Sequence, residues 1–261
     1  MLGLPTVGGI VSGSTVTFMG DGMAAVVQAI EDVRILTGQP PVVVGGLAVL
    51  CRLTAHHRAT TDLDVVDRLR GHAPQLQLLR EAGGVQSVEP AAVLLPTRFG
   101  EVKVDVLEVR QIELDKPSDN PGDRLHASAH AWAHDTATPV TLQVLRADGE
   151  VVRVTTPVAE PGPLVAMKLQ AVMDRNVAKQ GTDLQDVIRL TLDPESRDRL
   201  LDQLATCDEQ MARDIDMHVA LWLVDRRTAA LGWINSSGGH DVTLEDIDLT
   251  AELLTGASRR L

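Results

Sequence analysis

The sequence predicts an α+β protein in which helices flank a mixed sheet and a helical part follows it. Short β-branched runs, bounded by glycine and proline, recur between residues 42 and 154 and predict strands. After the proline-rich segment 157–163, apolar residues recur with helical spacing up to the C-terminus. We therefore expect two domains, a sheet domain at residues 1–157 and a helical domain at residues 158–261.

Composition narrows the class of protein. The 261 residues carry a formal charge of −12, which argues against a protein that coats nucleic acid non-specifically. With two Phe, three Trp and no Tyr, the chain is unsuited to a broad aromatic surface for single-stranded nucleic acid. The core must be built from Leu, Val, Ile and Ala.

The cysteines and the hydropathy pattern bear on location. Cys51 and Cys207 are far apart, and Cys51 lies in an apolar run, so we expect buried thiols in a reducing compartment rather than a disulfide. No apolar run reaches membrane-spanning length, and the N-terminus lacks the basic region of a signal peptide. These features predict a cytoplasmic protein that does not bind membranes.

The N-terminal elements lead up to one central unit. Residues 1–20 predict a loose or edge segment, and residues 23–36 a helix that Gly38 and Pro40 end. Residues 42–67 then predict a strand, a turn at Gly45-Gly46, a short helix and a second strand.

The second strand of this unit carries Asp62 and Asp64. Side chains two apart on a strand share a face, so their carboxylates lie side by side and repel each other without a cation between them. Such oxygen ligands suit Mg²⁺, which binds one or two carboxylates plus substrate phosphates. Solvated acids at a strand end are the alternative, and the basic loop that begins at Arg58 favours the cation site.

The next predicted elements are a polar helix over residues 67–84 and a hairpin of residues 92–96 and 101–109. Along the second arm of the hairpin, valines alternate with a face that carries Glu101, Lys103 and Asp105. If this arm lies beside the Asp62–Asp64 strand, Asp105 completes a three-carboxylate cluster. A sheet with one solvated face is the alternative.

Three histidines, His126, His130 and His134, are spaced four residues apart on a predicted helix. Two of them could bind a transition metal, but no carboxylate or cysteine ligand pattern accompanies them. We therefore expect a solvated helix face. Residues 140–145 and 151–154 follow as another hairpin.

The helical part begins with a predicted helix over residues 164–179. On it Lys168, Arg175 and Lys179 would form one line of positive charge, which suits a triphosphate. Gly181 is expected to break this helix. Asp183 and Asp186 would begin the next one, where capping is the alternative role for both. Further helices are predicted over residues 183–192, 195–206, 208–231 and 244–254, the last capped by Thr243.

With these pieces in place, the chain resembles the AbiEii/MenT-like family of nucleotidyltransferases, within the polymerase-β-type superfamily. The resemblance rests on Gly45-Gly46-Leu-Ala, on Arg58-Ala-Thr-Thr-Asp62-Leu-Asp64, on the strand acid Asp105, and on Met-Lys168 followed by Thr-Asp183-Leu-Gln-Asp186. It covers residues from about 40 to 190.

The resemblance implies a nucleotidyltransferase-type sheet, a helical C-terminal lobe and a cleft between them. It also implies transfer of a nucleoside monophosphate from NTP, with Mg²⁺ or Mn²⁺, to an acceptor such as a tRNA 3′ end. Family members act as toxins of type IV-style toxin–antitoxin pairs, so a cognate antitoxin is an expected partner.

The residues expected to carry this chemistry fall into two sets. The catalytic set is Asp62, Asp64, Asp105, Lys168 and Asp183, of which the first three hold the metal. The nucleotide-binding set is Gly45, Gly46, Arg58, Thr61, Lys168 and Arg175. Two other functions stay open. One is transfer to a small molecule, of the antibiotic-resistance type, or to a protein hydroxyl. The other is a degenerate protein that only binds nucleotide or a partner.

Overall fold

The computed structural model describes residues 14–258. Eight strands in this range form one mixed sheet. The strands are β1 (Ser14–Met19), β2 (Val42–Val43), β3 (Leu63–Leu69), β4 (Gln86–Glu89), β5 (Ala92–Thr97), β6 (Gly100–Arg110), β7 (Thr138–Leu145) and β8 (Val151–Val158). Their order in the sheet is β1-β7-β8-β2-β3-β6-β5-β4. Parallel and antiparallel neighbours alternate irregularly, so the sheet is mixed.

Eleven α-helices accompany this sheet within the described range. They are α1 (Asp21–Thr37), α2 (Gly45–Arg52), α3 (Gln75–Glu81), α4 (Gln111–Asp115), α5 (Pro121–Thr136), α6 (Pro161–Ala171), α7 (Val177–Leu192), α8 (Arg197–Ala205), α9 (Glu209–Val219), α10 (Arg227–Ser236) and α11 (Leu244–Ser258). A π-helical turn, Ala220–Asp225, separates α9 from α10. The predicted α+β class, with a sheet, flanking helices and a helical C-terminal part, is confirmed at this level.

The central unit forms as predicted. The strand β2, the helix α2 that begins at Gly45, and the strand β3 follow one another, and β2 pairs antiparallel with β3. On its other side β3 pairs parallel with β6, while β5 and β6 form the predicted hairpin. The helices α5 and α6 pack together, and α6 also contacts α2 and α7. The helix α5 also contacts β3 and β6, so it lies between these strands and the start of the helical part.

Several other predictions of local structure are confirmed. The first helix, the hairpin of β7 and β8 and the last helix lie where expected, and Thr243 Oγ1 accepts a hydrogen bond from the Asp246 amide. Cys51 and Cys207 are buried free thiols. β1 is an edge strand of the sheet. The expectation for residues 1–13 lies outside the described residues.

Some predicted boundaries are wrong. The region 67–84 is not one helix, because β3 continues to Leu69 and only α3 is helical. Asp67 lies within this strand in a buried position, where it accepts hydrogen bonds from the Gln75 amide at 2.8 Å and His72 Nε2 at 2.7 Å. The single helix expected over 208–231 is divided into α9, the π-helical turn and α10. The strand β4 was not predicted.

The helical part departs from prediction where the cations lie. Residues 164–179 are not one helix, since α6 ends at Ala171 and α7 begins at Val177. Asn176 caps α7, accepting a hydrogen bond from the Lys179 amide at 3.1 Å. Gly181 does not break α7 but lies inside it, where an added Cβ would collide with the Trp233 carbonyl of α10. The glycine therefore permits close packing of two helices.

The expected boundary at residues 157 and 158 falls at the end of β8. Only Ala159 and Glu160 separate this strand from α6, and Glu160 is buried with its carboxylate 3.1 Å from Arg52 Nη2. Buried apolar side chains of both parts belong to one cluster that includes Val43 and Leu164. The division into two domains stays a prediction. Within residues 14–258, every helix is too short or too polar to cross a membrane.

Candidate active site

A cavity of about 490 Å³ lies where β3, β6, α5, α6 and α7 meet. The predicted site residues that line it are Gly45, Gly46, Arg58, Asp62, Asp64, Asp105, Lys168, Arg175 and Asp183. The exception is Thr61, which is exposed and hydrogen-bonds the neighbouring Asp62 at 3.2 Å, while Thr60 lines the cavity in its place. Carboxylates enter this cavity from the sheet, and most of its cations come from the helical part.

Asp64 and Asp105 are direct register partners on the parallel strands β3 and β6. Neighbouring strands are about 4.8 Å apart, so the two carboxylates leave the sheet side by side. Burial raises the pKa of Asp64, and Asp105 raises it further, against the opposing influence of Lys168. This is the expected behaviour of a desolvated carboxylate beside a second negative charge.

Gly45 and Gly46 let the backbone approach these side chains. Gly45 has φ +62°, and a Cβ at this position would collide with the Asp64 carboxylate. The Gly46 amide donates a hydrogen bond to Asp64, and a Cβ here would come within 2.7 Å of Arg58 Nη2. The absence of side chains in this turn therefore leaves space for the Asp64 carboxylate, a catalytic candidate, and for the Arg58 guanidinium, a nucleotide-binding candidate.

Lys168 is buried in the opposite wall, with 8% of its surface exposed. Its Nζ lies 2.6 Å from Asp183 Oδ1 and 2.9 Å from Asp186 Oδ2, both on α7. Asp183 and Asp186 are therefore interior residues of α7 that bind Lys168, and their expected position at a helix start is wrong. Arg175 reaches the same network from the turn between α6 and α7, with 3.1 Å between Nε and Asp183 Oδ2.

Arg58 is held on the far side of Asp186. Its Nη2 donates to Asp186 Oδ2 at 2.8 Å and its Nε to Oδ1 at 3.0 Å, a bidentate pair. His57 Nε2 lies 3.0 Å from the same Oδ1. Lys168, Arg58 and Arg175 thus supply three positive charges around two carboxylates. The excess positive charge lies beside the cavity, where it can attract an anion.

The ionisation of this network follows from its contacts. Burial disfavours charged Lys168, but Asp186 and Asp183 outweigh this effect and raise the Lys168 pKa. Burial would likewise raise the pKa of Asp186. The positive charge of Lys168, with hydrogen bonds from His57 and Arg58, instead holds that pKa below its usual range. Both groups are therefore ionised at neutral pH.

Lys103 is a further cation at the sheet edge of the cavity. Its Nζ lies 3.2 Å from Asp105 Oδ1 and 3.0 Å from Glu89 Oε2 on β4. These two carboxylates raise its pKa against the effect of burial. The charged face of β6 therefore points into a cavity in which Lys103 neutralises part of the Asp105 charge.

The arrangement of the cavity carboxylates can be compared with the ligands that a Mg²⁺ ion requires. Asp62, Asp64 and Asp105 line one cavity, yet no group of three or more His, Cys, Asp or Glu side chains in residues 14–258 is arranged to hold a metal ion. A Mg²⁺ ion needs only one or two carboxylates when phosphate oxygens complete its octahedron. The adjacent Asp64 and Asp105 meet that smaller requirement.

The histidine prediction is wrong for His130. This side chain is 4% exposed and lines the cavity, whereas His126 is exposed and His134 is half-buried. The rings of His126 and His130 lie with their centroids 4.2 Å apart. The reason is that α5 packs its His130 side against α6 and the sheet instead of facing solvent.

Three residues of the site received no role from the sequence. They are His57, Lys103 and Asp186, of which the sequence placed Lys103 only on the charged face of β6 and Asp186 only at a helix start. His57 and Asp186 contact each other across 129 residues of chain, and Lys103 reaches Glu89 across 14, and no local pattern reports these contacts. A scan of the chain against protein-family models found no match, and a search of curated proteins found no significantly similar sequence.

Proposed function

We propose that this protein is a Mg²⁺-dependent nucleotidyltransferase of the AbiEii/MenT-like type, which moves a nucleoside monophosphate from NTP to an acceptor hydroxyl. One observation carries the proposal: a single cavity is lined by the carboxylates Asp62, Asp64 and Asp105 and by the cations Lys168 and Arg175. A nucleoside triphosphate needs both, a metal-binding carboxylate set and fixed positive charge for its phosphates.

The order of elements supports a nucleotidyltransferase-type fold. A strand, a glycine turn into a helix, and a strand with an acidic pair are followed by a parallel neighbour that carries the third acid. This arrangement is what the resemblance in residues 40–190 implies. The helical part would complete the cleft, because α6 and α7 contribute Lys168 and Asp183 to its wall.

The metal would be held by Asp64 and Asp105, with Asp62 lining the same cavity, and when bound it would supply positive charge that stabilises the attacking and leaving oxygens. Lys168 and Arg175 bind phosphate oxygens, and the Gly45-Gly46 turn gives the phosphates access to the backbone. Asp183 and Asp186 orient Lys168, and Asp186 also fixes Arg58 by the bidentate pair.

In the reaction, the acceptor oxygen forms a bond to the α-phosphorus. The bond from that phosphorus to the bridging oxygen breaks, and pyrophosphate leaves with the electron pair. The proton of the acceptor hydroxyl passes to a carboxylate, a role that we assign to Asp105.

The proposed acceptor is a tRNA 3′ end. The proposed setting is a cytoplasmic toxin–antitoxin pair, which a small DNA-binding protein encoded by the neighbouring reading frame would support.

A second candidate is transfer to a cationic small molecule. A neighbouring cavity of about 460 Å³ shares His126, Gln170 and Asp174 with the first. It is also lined by Glu113 and Asp123, against the single cation Lys116. Acidic walls attract a cationic acceptor and repel an RNA backbone. A non-catalytic protein that binds only nucleotide or a partner is the third candidate.

The experiment incubates the protein with each of four labelled NTPs, total tRNA and a pool of aminated small molecules, with Mg²⁺ or with EDTA. We expect label on tRNA only with Mg²⁺, and none with Asp62→Asn or Asp64→Asn. Asp148→Asn, in the exposed turn between β7 and β8, is the matched control. Label on small molecules alone would favour the second candidate. No label, with NTP bound, would leave the third.

A further inference from the structure

The buried histidine of α5 has a defined hydrogen-bonding state. His130 Nδ1 lies 2.6 Å from the backbone oxygen of His126. A carbonyl oxygen only accepts hydrogen bonds, so Nδ1 carries the proton. In the neutral ring the other nitrogen, Nε2, then has a free lone pair and is an acceptor.

The ring stays neutral at physiological pH. Burial, together with the charge effect of the neighbouring His126, lowers the pKa of His130 to about 3. A group with this pKa holds a proton too weakly to act as a general base near pH 7. His130 is therefore suited to accept a hydrogen bond and not to take part in proton transfer.

Nε2 has no hydrogen-bond partner among residues 14–258. It is absent from the buried side-chain atoms of that range that lack a partner, so part of its surface is accessible. His130 is 4% exposed and lines this cavity, so the accessible part of its ring borders the space that a ligand would fill. A ligand that displaces water from this atom has to offer a donor, because an unsatisfied buried acceptor weakens binding.

The surroundings of His130 indicate what kind of donor fits. The cavity is also lined by Leu107 on β6 and by Met167 and Ala171 on α6, and the His126 ring lies next to His130. Leu107 is two residues beyond Asp105, so it follows that acid on the same face of β6. Apolar walls beside a fixed acceptor suit a flat ring that bears N–H groups at its edge.

We propose that His130 Nε2 accepts a hydrogen bond from an N–H group of a nucleobase and so orients that base in the cavity. The inference rests on the proposed function, because it places a nucleotide there. The base belongs either to the incoming NTP or to the terminal nucleotide of the acceptor, and the two share the same N–H chemistry.

Two substitutions separate the acceptor atom from the rest of the side chain. In His130→Asn, the amide nitrogen can still donate to the His126 carbonyl, but nothing replaces Nε2. In His130→Gln, the longer side chain brings an amide oxygen near the former position of Nε2. Thermal melting of both variants reports whether the fold is retained.

The measurement is calorimetric affinity for ATP, CTP, GTP and UTP with Mg²⁺, for inorganic triphosphate, and for a short RNA with the tRNA acceptor 3′ end. We expect His130→Asn to weaken binding of at least one NTP, or of the RNA, by about tenfold, the value of one hydrogen bond. Inorganic triphosphate, which has no base, should bind unchanged, and His130→Gln should recover part of the loss. The arm that responds identifies which base is bound.

Two results would overturn the inference while leaving the proposed function intact. One is unchanged affinity of His130→Asn for every NTP and for the RNA. The other is an equal loss for NTP and inorganic triphosphate, which indicates a structural role. A wild-type protein that binds no NTP would overturn both the proposed function and this inference.

Discussion

Lys168 on α6 and Asp183 on α7 form a buried ion pair, with 2.6 Å between Nζ and Oδ1. The same ammonium group lies 2.9 Å from Asp186 Oδ2, so it joins two carboxylates of one helix to its neighbour. Because this contact is also part of the cavity wall, it links the packing of α6 and α7 to the cationic side of the cavity.

Lys168→Ala should therefore destabilise the protein as well as impair NTP binding. Removing one partner of a buried pair leaves uncompensated charge, which typically costs about 3–5 kcal/mol. Urea unfolding measures this loss. Lys179→Ala is the matched control, because Lys179 lines the same cavity but is exposed, and its effect should stay within about 0.5 kcal/mol. Equal stability of Lys168→Ala and wild type would show that the pair does not stabilise the fold.

The two turn glycines should differ in their tolerance of alanine. Gly45→Ala imposes φ +62° on a residue with a Cβ and drives that atom into the Asp64 carboxylate, so we expect a loss of about 1–3 kcal/mol and of NTP binding. Gly46→Ala needs no positive φ and meets the Arg58 guanidinium instead of the Asp64 carboxylate, so it should cost less. Gly22→Ala, in α1 with open space around it, should be neutral or stabilising. Thermal melting checks this order, and a Gly45→Ala protein as stable as Gly22→Ala would contradict it.

The stability of the protein should fall in acid partly through Asp186. Its folded pKa lies below the unfolded value of about 3.9, so ionised Asp186 stabilises the fold above that pH. This contribution is lost as the pH decreases from about 4 towards the folded pKa. Asp186→Asn should be less stable than wild type at pH 7, and its stability should change less between pH 5 and pH 2.

Urea unfolding at a series of pH values measures this difference. Asp241→Asn is the control, because Asp241 is an exposed partner of Arg189 and a surface pair contributes only about 0–1 kcal/mol. Its stability should follow the wild-type curve closely. Parallel curves for wild type and Asp186→Asn would contradict the role of Asp186.

The sequence was sufficient to predict those elements whose pattern lies within a few neighbouring residues. Strand patterning, the Gly45-Gly46 turn and the alternation along β6 predicted both strands. Their pairing was only a condition for placing Asp105 beside Asp64, and the structure meets it. Asn176 carried a signal for the break between α6 and α7, since Asn favours the N-cap position, but the regular spacing of the cations suggested a continuous helix. Arg175 and Lys179 still line the cavity because the turn and α7 fold back onto α6.

The rest depended on tertiary contacts. Gly181 reads as a helix breaker in isolation, yet the approach of α10 requires a residue without a side chain at that point. His130 reads as a solvated residue on a polar helix, yet the packing of α5 on α6 buries it. The link from Asp186 to Arg58 and His57 spans more than 120 residues of chain, and no periodicity reports it.

We propose that Asp64 and Asp105 hold a divalent cation for NTP binding. The most direct test is calorimetric titration of the wild type and of Asp64→Asn with NTP, in Mg²⁺ and in EDTA. Asn keeps the size of the side chain and relieves the charge repulsion with Asp105, so the variant should be folded and at least as stable as wild type without metal. We predict that Mg²⁺ increases the NTP affinity of the wild type at least tenfold and leaves that of Asp64→Asn unchanged. Equal Mg²⁺ dependence in the two proteins would contradict the account.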